Sequence, residues 1–294
     1  MTYKIKIYCA IFQLFFILIF FTNLEAKNIG KFFGGNDYSN YFSGIISLND
    51  EEYQSSYSFF KKLKGLEKNH FNFSQNYLQT LVSLNKYSEA YKYSKNLEKN
   101  NLSSFESELI IGIYYLKNDK LESAKKYFSK LNNRKSLGSI KNLLSISLIN
   151  WVNFNQLDFV NSLKIMNSMD QRYENLKKIQ TAFLHCYFES QNTDDLFSKI
   201  LSDKKTDFSR YNYFYAAYLA SIGRIDSAKE IIDKALSVYP RNLLLNQYKH
   251  DLNKNKNILV FNCKNEAHVM AEILYIAANA LSSQSIYPLS NFYL

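Results

Sequence analysis

The chain has 294 residues, a formal net charge of +10 from 36 Lys and Arg against 26 Asp and Glu, 47% hydrophobic and 16% aromatic residues. That apolar content excludes global disorder, and two prolines and eight glycines are too few to punctuate a sheet-rich fold of this length. The lysines are scattered among asparagines, which reads as solvated outer helix faces and argues against a nucleic-acid or anionic-membrane footprint.

Residues 1–26 form a separate object. Lys4 and Lys6 precede the apolar run Ile7 to Phe21, broken only by Gln13, and Ala26 offers a small residue for cleavage before Lys27. This order predicts a secretory signal, either cleaved or kept as an anchor, and therefore export to the periplasm or tethering to the inner membrane facing it. Membrane contact is expected only through this segment, if it is uncleaved. Cys9 lies inside the apolar run and leaves with it, so Cys186 and Cys263 remain. Their separation of 77 residues places them about two repeats apart in an array whose units touch only their neighbours, which predicts two buried free thiols.

The next segment, 27–250, repeats itself. Gly44-IISLNDEEYQSSYSFFKKL, LQTLVSLNKYSEAYKYSKNL ending at Leu97, and Gly112-IYYLKNDKLESAKKYFSKL align with Ser56, Ala90 and Ala124 spaced 34 residues apart. Phe60, Ser94 and Phe128, and then Leu63, Leu97 and Leu131, keep the same register. A self-similarity of this period predicts an array of helix-turn-helix units. Small residues at 44, 56, 90, 112 and 124 let helix backbones approach, and Phe60 and Phe128 fill the next layer. Asn118-Asp119 and Asp226 fall where second helices begin, where their side chains are expected to cap free amides.

Between Ala124 and Ala228 the markers are missing, yet the 104 residues there hold three periods of 34 to 35. The apolar runs Leu143 to Phe154 and Ile179 to Phe188 are the expected first helices of two degenerate repeats, with Leu157 to Met166 and Thr193 to Leu201 as their partners. The clearest copy follows, from Tyr213 to Asn242, with Ala216 in the place of Gly44 and Gly112, Gly223 at the turn, Ala228 in the place of Ala124, and Pro240 closing the unit. That copy resembles a tetratricopeptide repeat almost residue for residue. The resemblance implies an all-α, α-α superhelical solenoid in which the first helix of each pair lines the concave surface.

Residues 251–265 form a polar break containing the short apolar run Ile258 to Phe261, expected to be extended. Residues 266–294 resume the helical pattern and read as a partial further repeat, its second helix opened by Pro288 and cut short at Leu294. Joined to the secretory start, this block resembles exported tetratricopeptide proteins of alphaproteobacterial type.

No chemical constellation stands out. The chain carries no glycine-rich phosphate cradle, no paired histidines at zinc spacing and no glycine-flanked serine elbow. His185 and Cys186 are adjacent and so point to different faces of a helix, while Cys263 and His268 lack a second pair to complete four ligands. Asp50-Glu51-Glu52 and Asp194-Asp195 sit at expected inter-helix turns, where acids favour the helix dipole. No metal, no cofactor and no catalytic residue is expected, and export makes nucleic acid an improbable partner.

What remains is the groove that the fold creates. One turn either side of the small packing residue in each first helix, the residues facing it are Tyr41 and Ile45, Gln75 and Gln79, Leu109 and Ile113, and Tyr213 and Ala217. This mixed apolar and amide surface suits an extended peptide or an amphipathic helix. The places where some tetratricopeptide families grip a terminal carboxylate hold Tyr, Ile, Gln and Leu. The expected function is a non-enzymatic protein-binding scaffold of the cell envelope. The alternatives are a helical accessory region of a cell-wall-acting enzyme and a structural homo-oligomer.

Overall fold

The computed structural model describes residues 34–63, 65–132, 139–153, 157–203, 206, 208–254, 256 and 261–294. The segment 1–26 and residues 258–260 of the expected extended run lie outside them. The described residues form fifteen α-helices, with no strand among them. They are α1 Gly35–Asn49, α2 Tyr53–Phe60, α3 Phe71–Ser83, α4 Tyr87–Lys99, α5 Phe105–Lys117, α6 Leu121–Asn132, α7 Ser139–Val152 and α8 Phe159–Asn167. Then come α9 Glu174–Tyr187, α10 Thr193–Ser202, α11 Ser209–Ser221, α12 Ile225–Val238, α13 Leu243–Asn253, α14 Glu266–Ser282 and α15 Tyr287–Tyr293. None of them is long and apolar enough to cross a membrane.

The helices are tied into hairpins by one recurring turn. The last carbonyls of a first helix have no partner within it, and a residue in the left-handed region lets the chain fold back to satisfy them. Glu51, Asp119 and Glu189 take this conformation with φ of 62°, 55° and 51°, as do Asn85 and Gly223. The following amide in each case donates to the carbonyl five residues earlier: Glu52 to Ser47, Lys86 to Leu81, Lys120 to Tyr115, Ser190 to His185 and Arg224 to Leu219, all at 2.8–2.9 Å. Asp119 therefore serves the turn through its backbone and does not cap α6 as its sequence position suggested. Asp226 likewise lies in the first turn of α12, whose N-cap Arg224 makes no side-chain cap bond. Side-chain caps occur instead at Ser104 before α5, Asp158 before α8, Asn242 before α13 and Asn265 before α14.

Within a hairpin, bulk on one helix is matched by its lack on the other. Gly44 and Gly112 lie against the rings of Phe60 and Phe128, so closely that a Cβ on either glycine would overlap ring carbons. At the equivalent places one repeat uses Leu78 with Ser94 and another Ala216 with Ile232, and all four are buried. Large meets small in each case, although the side that is large changes. Ser56, Ala90, Ala124 and Ala228 are fully buried, as are Leu63, Leu97 and Leu131.

Consecutive helices pack in chain order, and contacts between alternate helices link α1 with α3, α3 with α5, and α11 with α13. The odd-numbered helices α1, α3 and α5 thus share a side, as do α11 and α13. The last pair does not extend the stack beyond α13. It turns back, so that α14 packs on α7 and α15 packs on α3 and α1. The block expected as a partial further repeat is a helical hairpin with the same kind of turn, Ser285 at φ 60° and Ile286 donating to Leu281, but it lies across the odd-numbered helices.

Candidate binding site

The returning segment is fastened at several points. Cys263 is joined to Cys186 of α9 in a disulfide, with Cα atoms 6.0 Å apart. This corrects the expectation of two free thiols. That expectation equated separation along the chain with separation along the stack, and the turn after α13 brings residue 263 back to α9. Beside the disulfide, Lys264 pairs with Glu189, and the Tyr187 hydroxyl donates to Glu266 at 3.2 Å. Phe261 stacks on Phe214 with ring centres 3.9 Å apart and lies 5.0 Å from Phe183.

Further along α14, Glu272 enters a buried position between α11 residues. Its carboxylate pairs with Arg210 and accepts a hydrogen bond from the Tyr211 hydroxyl at 3.1 Å. Burial pushes the Glu272 carboxyl up to about 7, against the opposing pull of Arg210 and the Tyr211 hydroxyl. The same burial, with the Glu272 charge behind it, raises the Tyr211 phenol well above its ordinary value. The Arg210 guanidinium lies over the Tyr275 ring at 3.7 Å. At the far end, Ser290 donates to the Ala278 carbonyl at 2.8 Å, and Asn291 bonds the Tyr53 hydroxyl.

Between this hairpin and the odd-numbered helices remains a cavity of about 750 Å³. Leu109 and Ile113 on α5, Tyr213 and Phe214 on α11, Leu274 on α14 and Phe292 on α15 give it a largely apolar wall, while Arg210, Glu272, His268 and Lys117 supply its polar groups. His268 is tied by its Nδ1, which accepts from the Asn262 amide at 3.0 Å.

Of the residues expected to face a groove, the structure brings Leu109, Ile113 and Tyr213 together at this cavity. Ala217 is buried nearby, beside Phe261 and Cys263. Tyr41 is 9% exposed and packs against the rings of His70, Phe60 and Phe73, with half-buried Ile45 on the next turn. Gln75 donates to Glu106 at 3.0 Å, and Gln79 is half-buried on α3. Arg210, Phe261, Glu272, Tyr275 and Phe292 were not singled out in the sequence. The one available signal was Glu272, a lone acid within an otherwise apolar helical run, since such a charge needs a buried partner.

His185 is held by Ser190, with 2.9 Å between Nδ1 and the hydroxyl, and its ring packs edge-on against Phe159. Burial lowers its pKa. Asp194 pairs with Arg224, and Asp195 with Lys199 one turn on. Among the described residues, no group of three or more His, Cys, Asp or Glu is placed to hold a metal ion. No family model matches the chain, and no curated protein matches its sequence.

Proposed function

We propose that the chain is an exported tetratricopeptide-type solenoid acting as a non-enzymatic binding scaffold of the cell envelope, which holds a peptide or helix against the side formed by its odd-numbered helices. The observation that carries this reading is intramolecular: that side already receives a helical hairpin, α14 with α15, seated on α7, α3 and α1. Helix-in-groove recognition uses the same apolar contacts for a foreign helix. A partner meets exposed aromatic and aliphatic side chains at the edge of the cavity, Tyr87, Leu244 and Tyr275. The 34-residue recurrence of the hairpin turn supports the repeat assignment. The Cys186–Cys263 disulfide supports export, because such bonds persist in oxidising compartments.

Photo-crosslinking in the native envelope tests the reading. A crosslinker at Tyr87 or Leu244 is expected to capture a discrete protein that one at Lys126, exposed on α6, does not. Equal capture from all three positions, or none from the first two, would remove the scaffold reading.

A further inference from the structure

The flank of α1 turned away from its own hairpin carries an apolar row that no described residue covers. We infer that this row is a two-fold contact between two copies of the chain, α1 packing on α1 of the second copy. Tyr38, Phe42 and Ile46 follow one another at four-residue steps, are 60%, 60% and 61% exposed, and do not pack on the core. The residues that α1 buries within its own chain are Tyr41, Gly44 and Leu48. Among the described residues no other helix leaves three large apolar side chains open at this spacing. A contiguous apolar row facing water marks an interaction surface, whereas single exposed apolar residues do not.

The neighbouring row decides what covers it. Gly35, Ser39, Ser43 and Ser47 run beside the large row at the same four-residue step. Gly35 and Ser39 are exposed, and a Cβ placed on Gly35 would meet nothing within 4 Å. α1 thus presents a ridge of large side chains next to a furrow of small ones, both along its i±4 rows. Two such helices related by a two-fold axis set each ridge into the other's furrow, in the packing class that crosses at about −50°. The chain's own hairpins follow the same rule, with Gly44 against Phe60 and Gly112 against Phe128. Because one helix supplies both halves of the fit, a second copy completes it.

Charge agrees with this choice. In a two-fold contact each charge near the axis meets its like, so the face has to be neutral. Asp37 is the one charged residue among the 15 of α1, in a chain that is 21% charged. It lies off the large row, and its carboxylate accepts from the Gly34 amide at 3.0 Å. Asp50, just past the far end of α1, stands where crossing helices diverge. A bilayer surface fits less well, since α1 offers no Lys or Arg to lipid phosphates. One helix from each chain makes a small contact, so the association is weak and falls in the micromolar range.

The test uses the full chain, co-expressed in two copies that carry different tags. A photo-crosslinker in place of Phe42 is expected to join the two copies, while one in place of Val160, 71% exposed on α8, is not. Ser39→Trp fills the furrow at an exposed position and should lower the yield of joined copies by about tenfold or more, with the helical circular dichroism unchanged. Ile46→Ser shortens the ridge and should lower the yield in the same direction. Absence of joined copies from Phe42, an equal yield from Val160, or an undiminished yield in a folded Ser39→Trp variant would each overturn the proposal. Capture of lipid or of a different protein at Phe42 in preference to a second copy would overturn it as well.

Discussion

Gly112→Ala is a substitution on which two rules of helix energetics give opposite signs. Inside a helix, alanine in place of glycine gains about 1 kcal/mol through backbone entropy. At position 112 the new Cβ would land among the Cε1, Cδ1 and Cζ atoms of Phe128, whose ring is fully buried. Overpacking costs about 1–3 kcal/mol, and a Cβ this close to three ring carbons belongs in the upper part of that range, about 2–3 kcal/mol, so the net effect is a loss of about 1–2 kcal/mol. Phe128→Leu removes the offending ring edge, and the double variant should recover at least about 1 kcal/mol relative to the sum of the single losses. Urea unfolding followed by far-UV circular dichroism measures these differences. The fluorescence of Trp151, the sole tryptophan, fully buried on α7, gives a second probe. If Gly112→Ala is as stable as the parent, or if the cycle shows no coupling, the close-approach argument is wrong for this hairpin and for its counterpart at Gly44.

Three further outcomes are expected. Replacing both Cys186 and Cys263 by Ser opens a loop of 77 residues and should lower stability by about 4 kcal/mol or somewhat less; hydrogen exchange should show α14 and α15 losing protection first, and uniform loss would contradict their role as a clasped unit. For Glu272 the folded pKa is raised from 4.5 to about 7, so its contribution is fully present below the unfolded value and lost as pH climbs from about 4.5 to 7, at most about 3 kcal/mol in all. Glu272→Gln should therefore gain on the parent in melting temperature between pH 5 and 8, and a constant gap would refute the assignment. Glu51→Gly relieves a left-handed conformation at an exposed turn and should raise stability by about 1 kcal/mol, unless the melting temperature stays level or falls.

The helical hairpins were legible because their signals are local. A turn residue, a small residue and a large apolar residue recur at fixed distances, and Gly44, Ala90 and Phe128 each announce their packing through residue type alone. Even in the stretch without small-residue markers, α7 and α9 begin only a few residues before the apolar runs that predicted them. The path of the last hairpin was not legible. Its apolar residues mark α14 as buried but do not say against what, and nothing near Cys263 or Glu272 in the chain names Cys186 or Arg210 as the partner. Given the reading of residues 1–26 as a secretory signal, pairing the two remaining cysteines would have been the better inference. The groove residues were chosen by helix face alone, which ignores neighbours in space. Tyr41 is consumed by the rings of its own hairpin and the next, and Tyr213 by Tyr248 on α13, with ring centres 4.6 Å apart.

The bond between Asn291 and Tyr53 joins residues 238 positions apart, which sets an order of events for the folding chain. Hairpins built from near neighbours can form as soon as their own residues are available. The side of α3 that meets α15 has no cover until nearly the whole polypeptide has been made. Until then an apolar surface stands open to chaperones or to other chains. The closing of the last hairpin over the first repeats is thus the step at which exposure to aggregation ends.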